Sequence, residues 1–123
     1  MMYQQTNEEL EANRHRQLVI EQWQKADAQD KLNKALYSVY LSIDWHKNIL
    51  LTINTTLRIE SLRSLLNAFK KHKKELESIK EKFKTMNVNS LRCNKLLLET
   101  NNLLDITFKR INNEQKRTTK YTF

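Results

Sequence analysis

The stretch FKKHKKELESIKEKFKTM, Phe69 to Met86, decides the fold. Phe69, Leu76 and Phe83 recur every seven residues, a series that begins at Leu62, and Leu65, His72, Ile79 and Met86 follow three places behind. Two apolar positions per heptad lie on one side of an α-helix and form a seam that must be covered by another helix. The lysines keep off it. Counting Phe69 as a, Lys70 and Lys71 fall at b and c, Lys73 and Lys74 at e and f, and Lys80, Lys82 and Lys84 at e, g and b. Such positions stay wet when the seam packs.

The same stretch is therefore a packing face and a basic outside. Lys71–Glu75 and Lys73–Glu77 stand four apart, and Glu77–Lys80 and Glu81–Lys84 three apart, each pair offering a few tenths of a kcal/mol. Glu75, Glu77 and Glu81 are three carboxylates for seven lysines, so most of the lysines lack an acidic partner on this helix. Lys70, Lys71, Lys73, Lys74, Lys80, Lys82 and Lys84 form a candidate patch for an anionic partner. Leu62, Leu65, Phe69, Leu76, Ile79 and Phe83 form a candidate seam for a partner helix.

Upstream, Leu36, Ile43, Leu50 and Leu57 repeat at the same interval, with Val39, His46 and Ile53 three places behind. Tyr37, Tyr40, Leu41, Trp45, Ile49 and Leu51 fall off that seam. A helix apolar on several sides asks for more than one neighbour, and this segment reads as the central helix of the fold. Trp23 and Trp45 read as anchors of the bundle. The register slips by two between Leu57 and Leu62. With no Gly for a left-handed cap, a continuous or merely bent helix is favoured across TINTTLRIES, residues 52–61.

Thr6-Asn7-Glu8-Glu9 has the form of a capping box. A first helix is predicted from Asn7 to Lys34, its thin stripe of Leu10, Leu18, Val19, Trp23 and Ala26 interrupted by Asn13, Gln17 and Gln22, so that it packs weakly. TMNVNS, Thr85 to Ser90, is the clearest break, because Asn adopts the left-handed conformation and Ser starts helices. A last helix is predicted from Ser90 to Asn113, with Leu97, Leu104 and Ile111 at heptad spacing and Leu96, Leu103 and Phe108 beside them. The reading is one helical domain over 1–113 and a basic, disordered tail over 114–123. The class is all-α: three or four long helices in an elongated hairpin or bundle with coiled-coil character.

Composition agrees. The chain of 123 residues has no Gly and no Pro, where average usage would supply roughly nine and six. A sheet protein without either would lack its turn residues. The charge is lopsided. Residues 1–61 hold seven Lys and Arg against eight Asp and Glu, and residues 62–123 hold fifteen against six. The single cysteine, Cys93, excludes an internal disulfide and fits a reducing compartment. MMYQQTNEELE has no basic segment followed by an apolar one, so the expected location is intracellular, cytoplasmic or nuclear. Leu36 to Ile53 carries Asp44, His46 and Lys47 near its middle, which makes it a poor membrane span.

No catalytic, metal or cofactor motif stands out, and no small-molecule substrate is implied. His15, His46, His72 and Cys93 include no pair at i,i+3 or i,i+4, and a phosphate loop needs Gly. His46 and His72 at d positions predict a polar layer that helps fix register, and protonating it would cost packing. The function expected is a non-enzymatic scaffold or adaptor that pairs helix to helix with a partner subunit or with itself. The alternative is a basic module for an acidic filament surface, such as a microtubule or axoneme, or for nucleic acid without sequence preference. Lysine is a point charge rather than a bidentate reader, and Phe69 and Phe83 are committed to packing rather than base stacking.

Overall fold

The structure, a computed structural model, describes residues 6–52 and 58–121, with side chains over 6–51 and 58–116. Every element is an α-helix: α1 (Asn7–Thr52), α2 (Ile59–Thr85) and α3 (Leu91–Tyr121). The fold is all-α with three long helices.

The first two predicted helices are one. α1 spans 46 residues, about 69 Å at 1.5 Å per residue. Thr6 starts it: its Oγ1 accepts from the Glu9 amide at 3.2 Å, and its carbonyl accepts from the Leu10 amide at 3.0 Å. Nothing between Asn7 and Thr52 stops a helix, since no Gly or Pro interrupts it and Glu, Gln, Lys and Ala sustain it.

α2 pairs with α1 antiparallel, because Ala35 and Val39 line one groove with Ser78 and Ile79 while His46 meets His72. The chain thus reverses between Thr52 and Arg58, and the expected continuous helix does not form. Residues 53–57, among them Ile53 and Leu57 of the predicted seam, lie outside the described residues. α3 runs antiparallel to α2 and parallel to α1. The middle place belongs to α2, which packs on both neighbours, while α1 and α3 touch each other least. The segment read as central is therefore a flank.

The turn from α2 to α3 is where TMNVNS predicted it. Asn87 sits at φ 57°, in the left-handed region. The Val88 amide donates to the Phe83 carbonyl at 2.9 Å and the Asn87 amide to Lys84 at 3.0 Å. These are the two bonds of a Schellman stop, and Val88 packs against the core beside Phe83. Ser90 opens α3, its Oγ accepting from the Cys93 amide at 3.3 Å. α3 continues to Tyr121 rather than ending at Asn113, so the stretch expected to be a disordered tail is helical in backbone through that residue.

The core is one cluster fed by all three helices. α1 contributes Leu32, Leu36, Val39, Ile43 and Leu50; α2 contributes Leu62, Leu65, Phe69, Leu76, Ile79 and Phe83. On α3 the buried line is Cys93, Leu96, Thr100, Leu103, Thr107 and Ile111. That line is offset from the predicted one: Leu97 and Leu104 are half-buried and Phe108 is exposed. The two threonines occupy seam positions because each hydroxyl donates to the carbonyl four residues back, Thr100 to Leu96 at 2.7 Å and Thr107 to Leu103 at 2.6 Å. With the hydroxyl satisfied, the methyl packs as a small apolar group.

The bundle ends near the Met86–Ser90 turn, but α1 does not. From Asn7 to about Lys31 it projects past the bundle as an arm with no buried residue among those described. The arm does not carry the inner seam onward. Positions that would extend it are Arg14, Leu18, Glu21 and Lys25, of which only Leu18 is apolar, and it is exposed.

Candidate functional site

The six residues of the candidate partner seam are all buried, Phe69 and Leu76 completely. α1 covers them on one side and α3 on the other. The helices that this seam meets belong to the same chain, so it is internal and offers no docking face in this fold.

The seven lysines stay outside the core, Lys73 half-buried and the rest exposed. They do not form one face. Lys73 and Lys80 border the α2–α3 groove with Glu77, Glu81 and Asn101, whereas Lys74 borders the α1–α2 groove with Glu75 and Ser78. None of the four predicted intrahelical pairs closes. Among the described residues the ion pairs are Lys31–Asp27, Lys34–Asp30 and Lys47–Glu99.

Lys47 and Glu99, 2.8 Å apart, link α1 to α3. The hydrogen bond and charge of Glu99 hold the Lys47 ammonium above its ordinary range. The pair is more than a third exposed, so its contribution to stability is at most about 1 kcal/mol. A second tie joins the same helices, where Arg110 Nη1 donates to the Leu50 carbonyl in the last turn of α1. That turn carries no basic residue of its own, and the guanidinium satisfies one of its orphan carbonyls.

His46 and His72 meet across the α1–α2 seam. His46 Nδ1 lies 2.7 Å from the Ser42 carbonyl, which can only accept, so that nitrogen carries the proton. The same N–H faces His72 Nε2 at 3.3 Å. His72 then accepts through Nε2 and bears its own proton on Nδ1, which is buried without a partner. Burial lowers the pKa of His72; Glu75 opposes this, and His46 and Lys71 add to it. The predicted polar layer is present, and one of its ring nitrogens, His72 Nδ1, is unsatisfied. Among the described residues no three His, Cys, Asp or Glu side chains group as metal ligands would. Cys93 is fully buried, with Sγ donating to the Leu76 carbonyl at 3.4 Å, and burial pushes its thiol pKa up.

Sequence reasoning misplaced the tryptophans. Trp23 is 71% exposed and Trp45 68%, neither anchoring the bundle. Leu41 stands two residues from buried Ile43, about 200° around the helix, and Trp23 stands five whole turns before Leu41. Ile20, Trp23, Tyr37, Leu41 and Trp45 thus share the outer face of α1, opposite the core, all of them exposed. For Tyr37, Leu41 and Trp45 the signal was in the sequence, as residues that fall off the first seam; Trp23 falls in the thin stripe of the first predicted helix, and nothing in the heptad count singles out Ile20. The off-seam residues ask for further helices of the same chain, and among the described residues none lies over Leu41 and Trp45.

A groove of about 340 Å³ opens where α1 and α3 diverge, lined by Asn33, Leu36, Tyr37, Tyr40, Arg92, Lys95 and Leu96. Tyr37 and Tyr40 stack at its rim with centroids 6.1 Å apart. No helix among the described residues is long and apolar enough to cross a membrane. Comparison with protein families, with curated proteins and with solved structures gives no match.

Proposed function

We propose that this chain is a non-enzymatic helical scaffold or adaptor that works by coiled-coil-like pairing of the outer face of α1 with another helix. One observation carries the reading: a row of large apolar side chains, Trp23, Tyr37, Leu41 and Trp45, stands in solvent at helical spacing on a helix whose opposite face already has its core. Tyr37, Leu41 and Trp45 form a continuous exposed apolar patch, with Trp23 beyond the charged run of Asp27, Asp30 and Lys34, and exposed apolar patches mark interaction sites. Trp and Tyr are also the side chains that most often dominate interface energetics. The projecting arm suits the role, since a long helix with no neighbour of its own presents its whole length to a partner. The lone, buried Cys93 is compatible with a reducing compartment, cytoplasm or nucleus.

The test uses the chain recovered from cells with its bound protein identified. Leu41→Asp with Trp45→Asp, both outside the core, should abolish that association while helicity is kept. Unchanged association would overturn the reading.

A second reading is favoured by the lysines of α2, which are outside the core and in no ion pair among the described residues. On it, the chain coats an acidic filament or nucleic acid by diffuse attraction. Changing Lys70, Lys71, Lys73 and Lys74 to Gln would then remove binding, and wild-type binding would fall steeply with salt.

A further inference from the structure

The outer face of α1 has a charge pattern that names its own partner. Along it at three- and four-residue spacing stand Ile20, Trp23, Asp27, Asp30, Lys34, Tyr37 and Leu41. The acidic positions precede the basic one, and apolar residues lie at both ends. We propose that this face takes α1 of a second copy of the same chain, antiparallel, about a two-fold axis beside residue 32. The inference rests on the scaffold reading and specifies its partner.

In that register Trp23 lies opposite Leu41 of the second copy, Asp27 opposite Tyr37, and Asp30 opposite Lys34, and each contact occurs twice, as an isologous interface requires. The neighbouring layer sets Ile20 against Trp45. A parallel pairing in register would instead stack Asp27 on Asp27, Asp30 on Asp30 and Lys34 on Lys34, and like charges at an interface oppose association. Antiparallel pairing therefore satisfies the charges that parallel pairing sets in conflict.

Two further observations agree. The ion pair Lys34–Asp30, now made within the helix, is 3.1 Å long with side chains 77% and 61% exposed, so it re-pairs across an interface without dismantling any packing. The excess of basic residues lies in 62–123, on α2 and α3. Apart from Tyr37, which borders the groove beside Arg92 and Lys95 of α3, the outer face of α1 is turned away from both, so two copies meeting there keep most of their positive charge apart. The contact, running from about residue 16 to about 48, would be ~48 Å long, and the arm of each copy would lie along the bundle segment of the other.

The test is sedimentation of the full-length chain over a range of concentrations, joined to cross-linking. Wild type should be a dimer. Lys34→Asp makes the central charges all acidic and Asp30→Lys makes them all basic, so each variant alone should dissociate at least tenfold more readily. Mixed together they should pair again, because at positions 30 and 34 each acid then faces a base. Trp23→Cys mixed with Leu41→Cys should form a disulfide between copies under mild oxidation, while Trp23→Cys alone should not; Cys93 is buried and does not compete. A wild type that is monomeric at every concentration overturns the inference, as does cross-linking of Trp23→Cys to itself. If that monomer still loses an identified foreign helical partner on Leu41→Asp with Trp45→Asp, the scaffold reading stands and only self-pairing falls. If the double variant changes neither self-association nor partner binding, both fall.

Discussion

Replacing His72 by Leu should make the protein more stable and less sensitive to acid. The buried Nδ1–H of His72 has no acceptor, and an orphaned buried donor costs about 1–3 kcal/mol. What the substitution forfeits is the contact with His46, 3.3 Å long and so at the low end of the ~0.5–1.5 kcal/mol range for neutral hydrogen bonds. His46 is not orphaned in turn, because its N–H keeps the Ser42 carbonyl. The net gain is about 1 kcal/mol near pH 7.5, worth about 4 °C in Tm for a domain of this size. The pH dependence has a definite sign. The unfolded imidazole takes up a proton near pH 6.5, while burial holds the folded one below that. As pH falls below about 6.5 the unfolded state binds more protons, and the wild type loses stability until the folded imidazole itself titrates. His72→Leu removes this contribution, so its advantage grows from pH 7.5 to pH 5.5. Urea unfolding followed by circular dichroism, at both pH values and one fixed protein concentration, measures it. A variant that is destabilised at pH 7.5, or that loses stability with acid as steeply as wild type, would refute the assignment of the orphaned proton.

Other substitutions probe other joints of the fold. Phe69→Ala, at a fully buried position, should cost about 3–5 kcal/mol, read as a fall in urea midpoint. Asn87→Val should cost about 1–2 kcal/mol because a β-branched residue resists φ 57°, whereas Asn87→Gly should be neutral or slightly stabilising in the same assay. Arg110→Met should cost about 1 kcal/mol by orphaning the Leu50 carbonyl; hydrogen exchange should show faster opening in the last turn of α1.

How far the sequence could be read depended on how each segment spends its apolar residues. α2 concentrates them in one stripe of Leu, Phe and Ile, so its seam was legible to the residue, and its stop was legible to within Thr85–Ser90, where two asparagines, Asn87 and Asn89, suit the left-handed conformation that Asn87 adopts at φ 57°. α3 hid its register. Its seam uses Cys93, Thr100 and Thr107, which a count of leucines ranks as polar, and only the back-bonded hydroxyls reveal how they tolerate burial. α1 misled in two ways. Its thin amino-terminal stripe looked like a separate, weakly packed helix, yet a helix whose seam runs out need not stop when no residue breaks it. The reversal after Thr52 was masked by the lack of Gly, the usual cap residue. As for the candidate site, the lysine positions were legible because charge stays in water. Their division between two grooves was not, since that depends on which neighbour lies on each side of α2.

The two faces of α1 differ in kind, and the difference bears on what each is for. The inner face uses Leu32, Leu36, Val39, Ile43 and Leu50, aliphatic side chains that interlock with the neighbouring helices and bear no polar atom. The outer face uses Trp23, Tyr37, Trp45 and the acid–base run between them, amphipathic groups that tolerate water when free and supply large contact area when covered. A face meant for permanent burial in the same chain gains nothing from Trp N–H, Tyr O–H or paired charges, which would each require a partner in the core. A face that alternates between solvent and a partner does gain from them. Stability and association should therefore separate by mutation. At a protein concentration low enough that wild type is monomeric, Leu41→Asp with Trp45→Asp should leave the unfolding free energy in urea within about 0.5 kcal/mol of wild type, as surface substitutions do, while removing association at higher concentration. Phe69→Ala should do the reverse at temperatures where the variant still folds. If the outer-face variant unfolds along with losing its partner, the two faces are not independent and the division of labour along α1 is wrong.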